Sequence, residues 1–124
     1  MRRSLAAVVL LACCFPAAAV ARRAAGASEK AAIVAALRRA HDVGPSQTAS
    51  CMRVYVSTVN GAWATMNFRF VARCARQDAD GVVVLHRARG RWRLVTVGSA
   101  FTCSALSRIP GRVRHDLRLA CISA

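Results

Sequence analysis

Acidic residues and lysine are scarce in this chain. Asp and Glu number only 5 in 124 residues, against 19 Lys and Arg, and 18 of those 19 are arginine. Codon usage in a GC-rich genome favours arginine over lysine, but Asp and Glu codons can also be GC-rich, so the shortage of acids is a property of the protein. A formal net charge of +14 at pH 7 indicates adhesion to anionic polymers or membrane surfaces, without assigning a role.

Residue patterns for catalysis, cofactors and metal ions are missing. The three histidines are far apart in sequence, and His41-Asp42 and His115-Asp116 are adjacent pairs, whose side chains on a helix would point about 100° apart. No Gly-x-Ser-x-Gly, Ser-x-x-Lys or phosphate-binding glycine loop occurs. Residues 78–81 lack the remaining ligands of a calcium loop and are typical of a turn. We predict a non-enzymatic protein with no cofactor and no metal ion.

Long apolar runs are also rare, and the clearest lies near the start of the chain. Arg2 and Arg3 precede an apolar run from Leu5 to Phe15, which small residues follow up to Ala21. This order is typical of a secretory signal peptide, and the run is shorter than the roughly 18 residues needed to span a bilayer. Residues 1–21 are therefore predicted to be a removed signal peptide of a secreted protein.

Three ways of processing this leader remain open. Signal peptidase requires small side chains at the first and third positions before the cut. Ala19 and Ala21 favour cleavage after residue 21, whereas Ala17 and Ala19 would allow cleavage after residue 19. The third possibility is a lipobox ending at Cys13, which would leave the protein anchored to a membrane by a lipid.

Removal of residues 1–21 would leave four cysteines in an oxidising compartment. Their spacings, with 22, 28 and 17 intervening residues, contain no close pair of zinc ligands. Two disulfides are the expected use, each stabilising the fold by about 2 to 4 kcal/mol. The candidate residues are Cys51, Cys74, Cys103 and Cys121.

The rest of the chain is predicted to be one α+β domain over residues 28–124, preceded by a flexible basic tail over residues 22–27. Ser28 is placed to cap a helix over residues 28–42, with Glu29 in its first turn. Its apolar stripe favours packing on a core rather than on a membrane. The stripe consists of Ile33, Val34, Leu37 and Ala40, and Gly44 with Pro45 ends the segment.

Alternation with a period of two predicts a hairpin in the middle of the chain. Its turn signal is Asn60-Gly61. A three-residue loop over residues 60–62 would place Val56 opposite Met66 and Val54 opposite Phe68, so that both pairs face the core.

Two further strands are predicted after a turn at residues 78–81. They cover residues 82–86 and 92–97 and are joined by a tight turn at Arg89-Gly90. Together the four strands are expected to form an antiparallel meander on which the N-terminal helix packs, giving a sandwich of two layers.

A short helix is predicted near the C-terminus, with Pro110 in its first turn and Val113 and Leu117 on its inner side. Cys103 and Cys121 bracket this segment. A disulfide between them would fasten it to the last strand, so this pairing is preferred.

The preferred pairing leaves Cys51 with Cys74, which conflicts with the predicted register. That register places the two residues on opposite faces and three positions out of line, too far for a disulfide. Either the chain curls after Phe70, or the pairing is different, with a bridge from Cys51 to Cys121 as the alternative.

Three stretches resemble small exported proteins of actinobacteria. They are Val-Tyr-Val-Ser-Thr-Val-Asn-Gly-Ala-Trp-Ala at residues 54–64, the Gly-Arg-Trp hairpin running from residue 90 to 98, and residues 110–121 with their Val-Arg-His-Asp-Leu core. The resemblance covers most of residues 28–121 and lies in strands, turns and cysteines. It implies a cystatin-like or NTF2-like curl of sheet around a helix. It implies no activity, and the Gln-x-Val-x-Gly loop of inhibitory cystatins is absent.

Strand parity predicts a basic outward face on the sheet, with aromatic residues among its arginines. Arginine binds phosphate or carboxylate, and exposed rings can stack on a ligand. Arginines at strand ends would also discourage edge-to-edge aggregation. The candidate anion-binding residues are Arg53, Arg69, Arg73, Arg87, Arg89, Arg91 and Arg93, with Tyr55 and Trp63.

These observations favour a secreted, disulfide-stabilised domain that binds an anionic partner, such as a wall polymer, a lipid surface or extracellular nucleic acid. One alternative is an inhibitor of a secreted protease or other enzyme. Another is an NTF2-like domain that binds a small ligand, although Met66, Phe68 and Phe70 predict a filled, apolar interior. The oligomeric state is open, since an exposed Trp63 could also lie at a dimer interface.

Overall fold

A computed structural model describes residues 21–77 and 80–123. The predicted leader up to residue 20, with its lipidation candidate Cys13, and part of the predicted turn at residues 78–81 lie outside the described residues. The elements in chain order are β1 (Arg23–Ala24), α1 (Ala27–Arg39), a 3₁₀ turn (Ala49–Cys51), β2 (Met52–Val56), β3 (Trp63–Phe68), a second 3₁₀ turn (Ala72–Gln77), β4 (Val82–Ala88), β5 (Arg91–Gly98), β6 (Phe101–Thr102), α2 (Gly111–Asp116) and β7 (Cys121–Ile122).

Strands β1 to β5 form one antiparallel sheet in sequence order, and β6 pairs with β7 in a small parallel sheet. The predicted α+β class is therefore confirmed, but the main sheet has five strands rather than four. The extra strand is β1, in the segment predicted to be a flexible tail over residues 22–27. Arg23 pairs with Val56 and Ala24 with Tyr55. The free edge of β2 supplies backbone partners for this segment, which is too short to show a strand pattern.

Helix α1 begins one residue earlier and ends three residues earlier than the predicted range 28–42. Gly26, not Ser28, occupies the N-cap position, and its backbone N–H donates to Glu29 Oε1 at 3.2 Å. At the other end His41 has a φ of 56°, a left-handed conformation that ends helices. Of the four residues predicted to form the apolar stripe, Ile33, Val34 and Leu37 are buried and Ala40 is exposed.

The predicted register of the first hairpin is wrong by two residues. Val54 pairs with Met66, and Val56 pairs with Ala64. A shift of two keeps every side chain on its predicted face, so the hydrophobic pattern cannot detect it. The strands separate early because Ser57 turns into the loop, where its Oγ accepts hydrogen bonds from the N–H groups of Val59 and Asn60 at 3.2 and 3.1 Å.

The second hairpin has the predicted turn and longer strands. Arg89 and Gly90 have φ angles of 52° and 74°, and two successive positive φ angles define the type I′ turn that tight hairpins prefer. Strands β4 and β5 carry a bulge at Val95, because Val84 pairs with Thr96 while Leu85 pairs with Leu94.

The sheet is covered on both faces, so the domain has three layers where the sequence predicted two. Helix α1 packs on one face, over a core that includes Ile33, Met66 and Leu85. The C-terminal segment packs on the other face and buries a second core. Its residues are Trp63, Val84, Phe101, Leu106, Ile109, Val113 and Leu117.

Both preferred disulfides are confirmed. Cys51 is bonded to Cys74 and Cys103 to Cys121, with Cα–Cα distances of 5.6 and 4.8 Å. The conflict over the first pair is resolved because each of its cysteines lies in a 3₁₀ turn beyond the end of a strand. The chain curls after Phe68, and Phe70, predicted to face the core, is therefore 75% exposed.

The disulfides indicate the kind of compartment in which the domain is found. Two disulfides indicate an extracellular or otherwise oxidising compartment. Within residues 21–77 and 80–123, no helix is long and apolar enough to cross a membrane.

Candidate functional site

The arginines predicted to share one sheet face are divided between two. A two-residue turn pairs odd-numbered with even-numbered residues, so Arg87 lies opposite Trp92 while Arg93 lies opposite His86. Arg87 therefore lies on the α1 side, with its guanidinium 5.4 Å from the centre of the Trp92 ring. Arg91 and Arg93 lie on the opposite face. The prediction of one continuous surface was wrong because it continued the alternation of side chains from β4 into β5 without a break. Residues that pair across the two-residue turn share a face, so the odd-numbered positions of β4 and β5 between the turn and the bulge lie on opposite faces.

The two predicted stacking residues, Tyr55 and Trp63, are already in contact with other groups. Trp63 is 7% exposed, and its ring centre lies 4.2 Å from that of His86. Tyr55 is half-buried, and the guanidinium of Arg22 lies 4.1 Å from its ring centre. Strand parity correctly turned Trp63 away from α1, but it gave no sign that the C-terminal segment covers that face.

A smaller basic site is formed where β1 stops and leaves one end of β2 at the sheet edge. Here a cavity of about 450 Å³, which we call the edge groove, brings three cationic side chains together. Arg53 projects from β2, Arg69 follows directly after β3, and Lys30 lies in α1. The groove is lined by Ala24, Ala25, Lys30, Met52, Arg53, Val54, Tyr55 and Arg69.

The charges in the edge groove are all of one sign. No carboxylate is among its lining residues, and the nearby Glu29 is engaged by Arg23, whose guanidinium donates to it at 2.7 Å. Burial lowers the pKa of Lys30, and the neighbouring Arg69 lowers it further. Within the described chain, Arg69 Nε is buried without a hydrogen-bond partner. An anion in the groove would offset the repulsion between Lys30 and Arg69.

Lys30 was not predicted as a site residue, although the sequence carries a signal for it. It stands three and seven positions before Ile33 and Leu37, which places it on the same helical stripe as the core residues. A lysine at the end of a buried stripe must extend its ammonium along the rim of the sheet.

The remaining predicted arginines are dispersed. Arg73 is exposed on the second 3₁₀ turn, and Arg89 is exposed at the tip of the second hairpin. Arg93 lines a separate cavity of about 400 Å³ with Arg108 and His86. The predicted site therefore contributes only Arg53, Arg69 and the edge of Tyr55 to the edge groove.

A second polar centre is built around Asp116, which is 6% exposed. Its carboxylate accepts hydrogen bonds from Ser57 Oγ at 2.7 Å, from Thr58 N and Oγ1 at 2.8 and 3.0 Å, and from Arg22 N at 2.8 Å. Burial raises the pKa of Asp116, but these hydrogen bonds together hold it below its ordinary value. The carboxylate thus joins the N-terminal segment, the β2–β3 loop and α2.

Neither site contains a cluster of metal-binding side chains among the described residues. Among residues 21–77 and 80–123, no three His, Cys, Asp or Glu side chains are grouped so that they could hold a metal ion. Comparison of the chain with protein-family models, curated proteins and solved structures finds no match. The function has to be inferred from the geometry of the edge groove and its charges.

Proposed function

We propose that this protein is a secreted binder of anionic polymers and that the edge groove is its main contact site. The observation that carries the proposal is the convergence of Lys30, Arg53 and Arg69 on one groove whose lining contains no carboxylate. Ammonium and guanidinium groups bind phosphate, sulfate and carboxylate through charge-assisted hydrogen bonds. The Nε of Arg69 has no acceptor in the described chain, so the protein does not engage that atom of the guanidinium.

The surroundings of the groove suit an extended ligand. Phe70, next to Arg69 in sequence, is 75% exposed and offers a ring for stacking on a base or a sugar, in place of the occupied rings of Tyr55 and Trp63. The high positive charge of the whole chain would increase the rate of encounter with a polyanion. A wall polymer, an anionic lipid surface and extracellular nucleic acid all present the required groups.

Secretion belongs to the same proposal. The order of residues at 1–21 and the two disulfides support export to an oxidising compartment. The resemblance to small exported proteins of actinobacteria stays a prediction. So does the inhibitor alternative, for which inhibition of a co-secreted protease is the test. The packed interior beneath α1, where Ile33, Leu37 and Met66 are at most 1% exposed, argues against a small-ligand carrier.

The test compares two triple variants of equal charge. Replacement of Lys30, Arg53 and Arg69 by serine removes the groove cations, whereas replacement of Arg39, Arg89 and Arg91 by serine removes three exposed cations elsewhere. For a fluorescent oligothymidine, we expect the groove variant to bind more than tenfold more weakly in 50 mM salt. The plot of log K against log salt should become shallower by about 2, since each lost phosphate contact contributes roughly 0.7 for a single strand.

The exposed-site variant is the matched control and should retain most of the affinity. Equal losses in both variants would show that only overall charge matters and would reject the groove. Both variants should fold, and the groove variant should unfold at the same or a slightly higher temperature, because it removes both the partial burial of the Lys30 ammonium and its repulsion by Arg69, which together lower the pKa of Lys30. A heparin oligosaccharide tested in parallel distinguishes general polyanion binding from a preference for nucleic acid.

A further inference from the structure

Arg22 is held in place by contacts to the C-terminal end of α2 and to β2. Its backbone nitrogen donates to Asp116 Oδ1 at 2.8 Å, and its guanidinium donates to the carbonyl of Leu117 at 3.3 Å. The same guanidinium lies 4.1 Å from the centre of the Tyr55 ring. Arg22 is also the residue that directly follows Ala21, the last residue of the predicted leader. The first residue after one of the two predicted cleavage sites is thus built into the fold.

Among the described residues, the carboxylate that receives Arg22 accepts hydrogen bonds from neutral donors, although the guanidinium of Arg22 also interacts with it electrostatically. From the described residues, Asp116 accepts four hydrogen bonds, which come from a hydroxyl of Ser57, from the amide and hydroxyl of Thr58, and from the amide of Arg22. All four donors are neutral. Among the described side chains, Asp116 forms no salt bridge; the pair found there joins Arg23 to Glu29. These hydrogen bonds already stabilise the charged carboxylate, and a positive group at one of the donor positions would add a direct, charge-assisted contact to them.

We propose that the chain is cleaved between Ala21 and Arg22 and that the new α-ammonium group of Arg22 forms a buried ion pair with Asp116. Signal peptidase would hydrolyse the Ala21–Arg22 amide with one water molecule. The water oxygen goes to the carboxylate of Ala21, and the released amine of Arg22 takes up a proton. The nitrogen that donates to Asp116 as an amide then donates to it as an ammonium. This inference rests on the predicted leader and is independent of anion binding in the edge groove.

The geometry distinguishes between the two cleavage sites that the sequence leaves open. Cleavage after Ala19 would keep Val20 and Ala21 in front of Arg22, and the nitrogen at Asp116 would remain a neutral amide. Cleavage after Ala21 places the positive charge of the new α-ammonium group on the nitrogen that donates to Asp116.

Several charged and titratable groups surround the proposed ion pair. Tyr55 faces it from β2, and Arg118 and the guanidinium of Arg22 itself add positive charge nearby. Arg112 and His115 of α2 line the adjoining cavity of about 590 Å³, which Ala21 also borders. Asp116 is the carboxylate at the centre of this basic surround, so it is the group that can compensate the new ammonium.

The ion pair predicts a pH dependence with a definite sign. An α-amino group in an unfolded chain has an ordinary pKa near 8. Pairing with a buried carboxylate raises that pKa in the folded protein. The stabilisation is therefore fully present below about pH 8 and is lost as the pH rises through the raised pKa.

The first test uses the full chain secreted from a bacterial host with its own leader. Intact mass should show a protein that begins at Arg22. The native α-amino group should then react with an acetylating reagent at pH 7 at least tenfold more slowly than in urea, measured by peptide mapping. A chain beginning at Val20, a lipid on Cys13, or equal rates in the native and unfolded protein would each overturn the proposal.

The second test moves the charge by one residue without changing its amount. An asparagine inserted between Ala21 and Arg22 restores a neutral amide at Asp116, the arrangement in which the structure shows the segment folded. With its N-terminus verified by mass, this variant should have a Tm roughly 5 °C lower than the mature protein at pH 7. The difference should disappear by about pH 10 to 11, when the ammonium is deprotonated. A constant Tm difference, or none at pH 7, would contradict the ion pair.

Discussion

Replacement of Cys51 and Cys74 by alanine is expected to lower the free energy of unfolding by about 3 kcal/mol, and the Tm by roughly 12 to 15 °C. The disulfide closes a loop with a sequence separation of 23, which restricts the unfolded chain. Its cysteines are also only 3% and 0% exposed and belong to the core beneath α1. Their removal therefore adds a packing defect to the loss of the cross-link. Urea denaturation and calorimetry of the double variant measure the effect.

The other disulfide provides a matched comparison. Cys103 and Cys121 have a sequence separation of 18, so loop entropy alone makes the two cross-links differ by only about 0.2 kcal/mol. Cys103 is exposed, however, and Cys121 is partly exposed. The Cys103/Cys121 double variant should therefore lose less stability than the Cys51/Cys74 variant. A larger loss on removing the exposed pair would show that the C-terminal layer, rather than the first core, limits the stability of the domain.

Replacement of Asp116 by alanine is expected to lower the free energy of unfolding by about 3 kcal/mol, as much as the loss of the Cys51–Cys74 disulfide. The substitution leaves the hydroxyl of Ser57 and the backbone N–H groups of Arg22 and Thr58 without their acceptor. These donors belong to the N-terminal segment and to the β2–β3 loop, so both should loosen together. In Asp116→Ala, the increase in the rate of amide hydrogen exchange relative to wild type should be larger at β1 and residues 57–62 than in helix α1.

The same carboxylate predicts how acid affects the protein. Because the pKa of Asp116 is lowered in the fold, its contribution to stability is present above the unfolded value of about 4 and is lost as the pH falls through the lowered pKa. Between pH 5 and 2, wild type should therefore lose more stability than Asp116→Ala. Asp42 is a control of opposite sign, since burial raises its pKa. The Asp42→Asn substitution should therefore leave the free energy of unfolding at pH 7 unchanged or raise it. If the stability of wild type and that of Asp116→Ala fall in parallel between pH 5 and 2, the role assigned to Asp116 is wrong.

Local signals predicted the parts of the fold that short stretches of sequence determine. The stripe at Ile33, Val34 and Leu37, the Arg89-Gly90 turn and the Pro110 helix start were sufficient for α1, the second hairpin and α2. Contacts between distant residues determined the rest. The register of the first hairpin depends on Ser57, whose Oγ donates to Asp116, 59 positions along the chain.

The candidate site was predictable to a similar extent. Arg53 and Arg69 were identified because strand parity depends only on neighbouring positions. Lys30 was missed because its place in the groove depends on how α1 lies across the sheet edge. Trp63 was predicted to be exposed because covering it requires the third layer, which the alternation of a strand does not encode.

The two cores also separate the two tryptophans of the chain. Trp92 is 6% exposed and packs in the core beneath α1, whereas Trp63 is 7% exposed and packs beneath the C-terminal segment. Each core therefore contains its own intrinsic fluorophore. The Trp92→Phe variant keeps only Trp63, so its fluorescence follows detachment of the C-terminal segment. The Trp63→Phe variant keeps only Trp92, so its fluorescence follows unfolding of the core beneath α1.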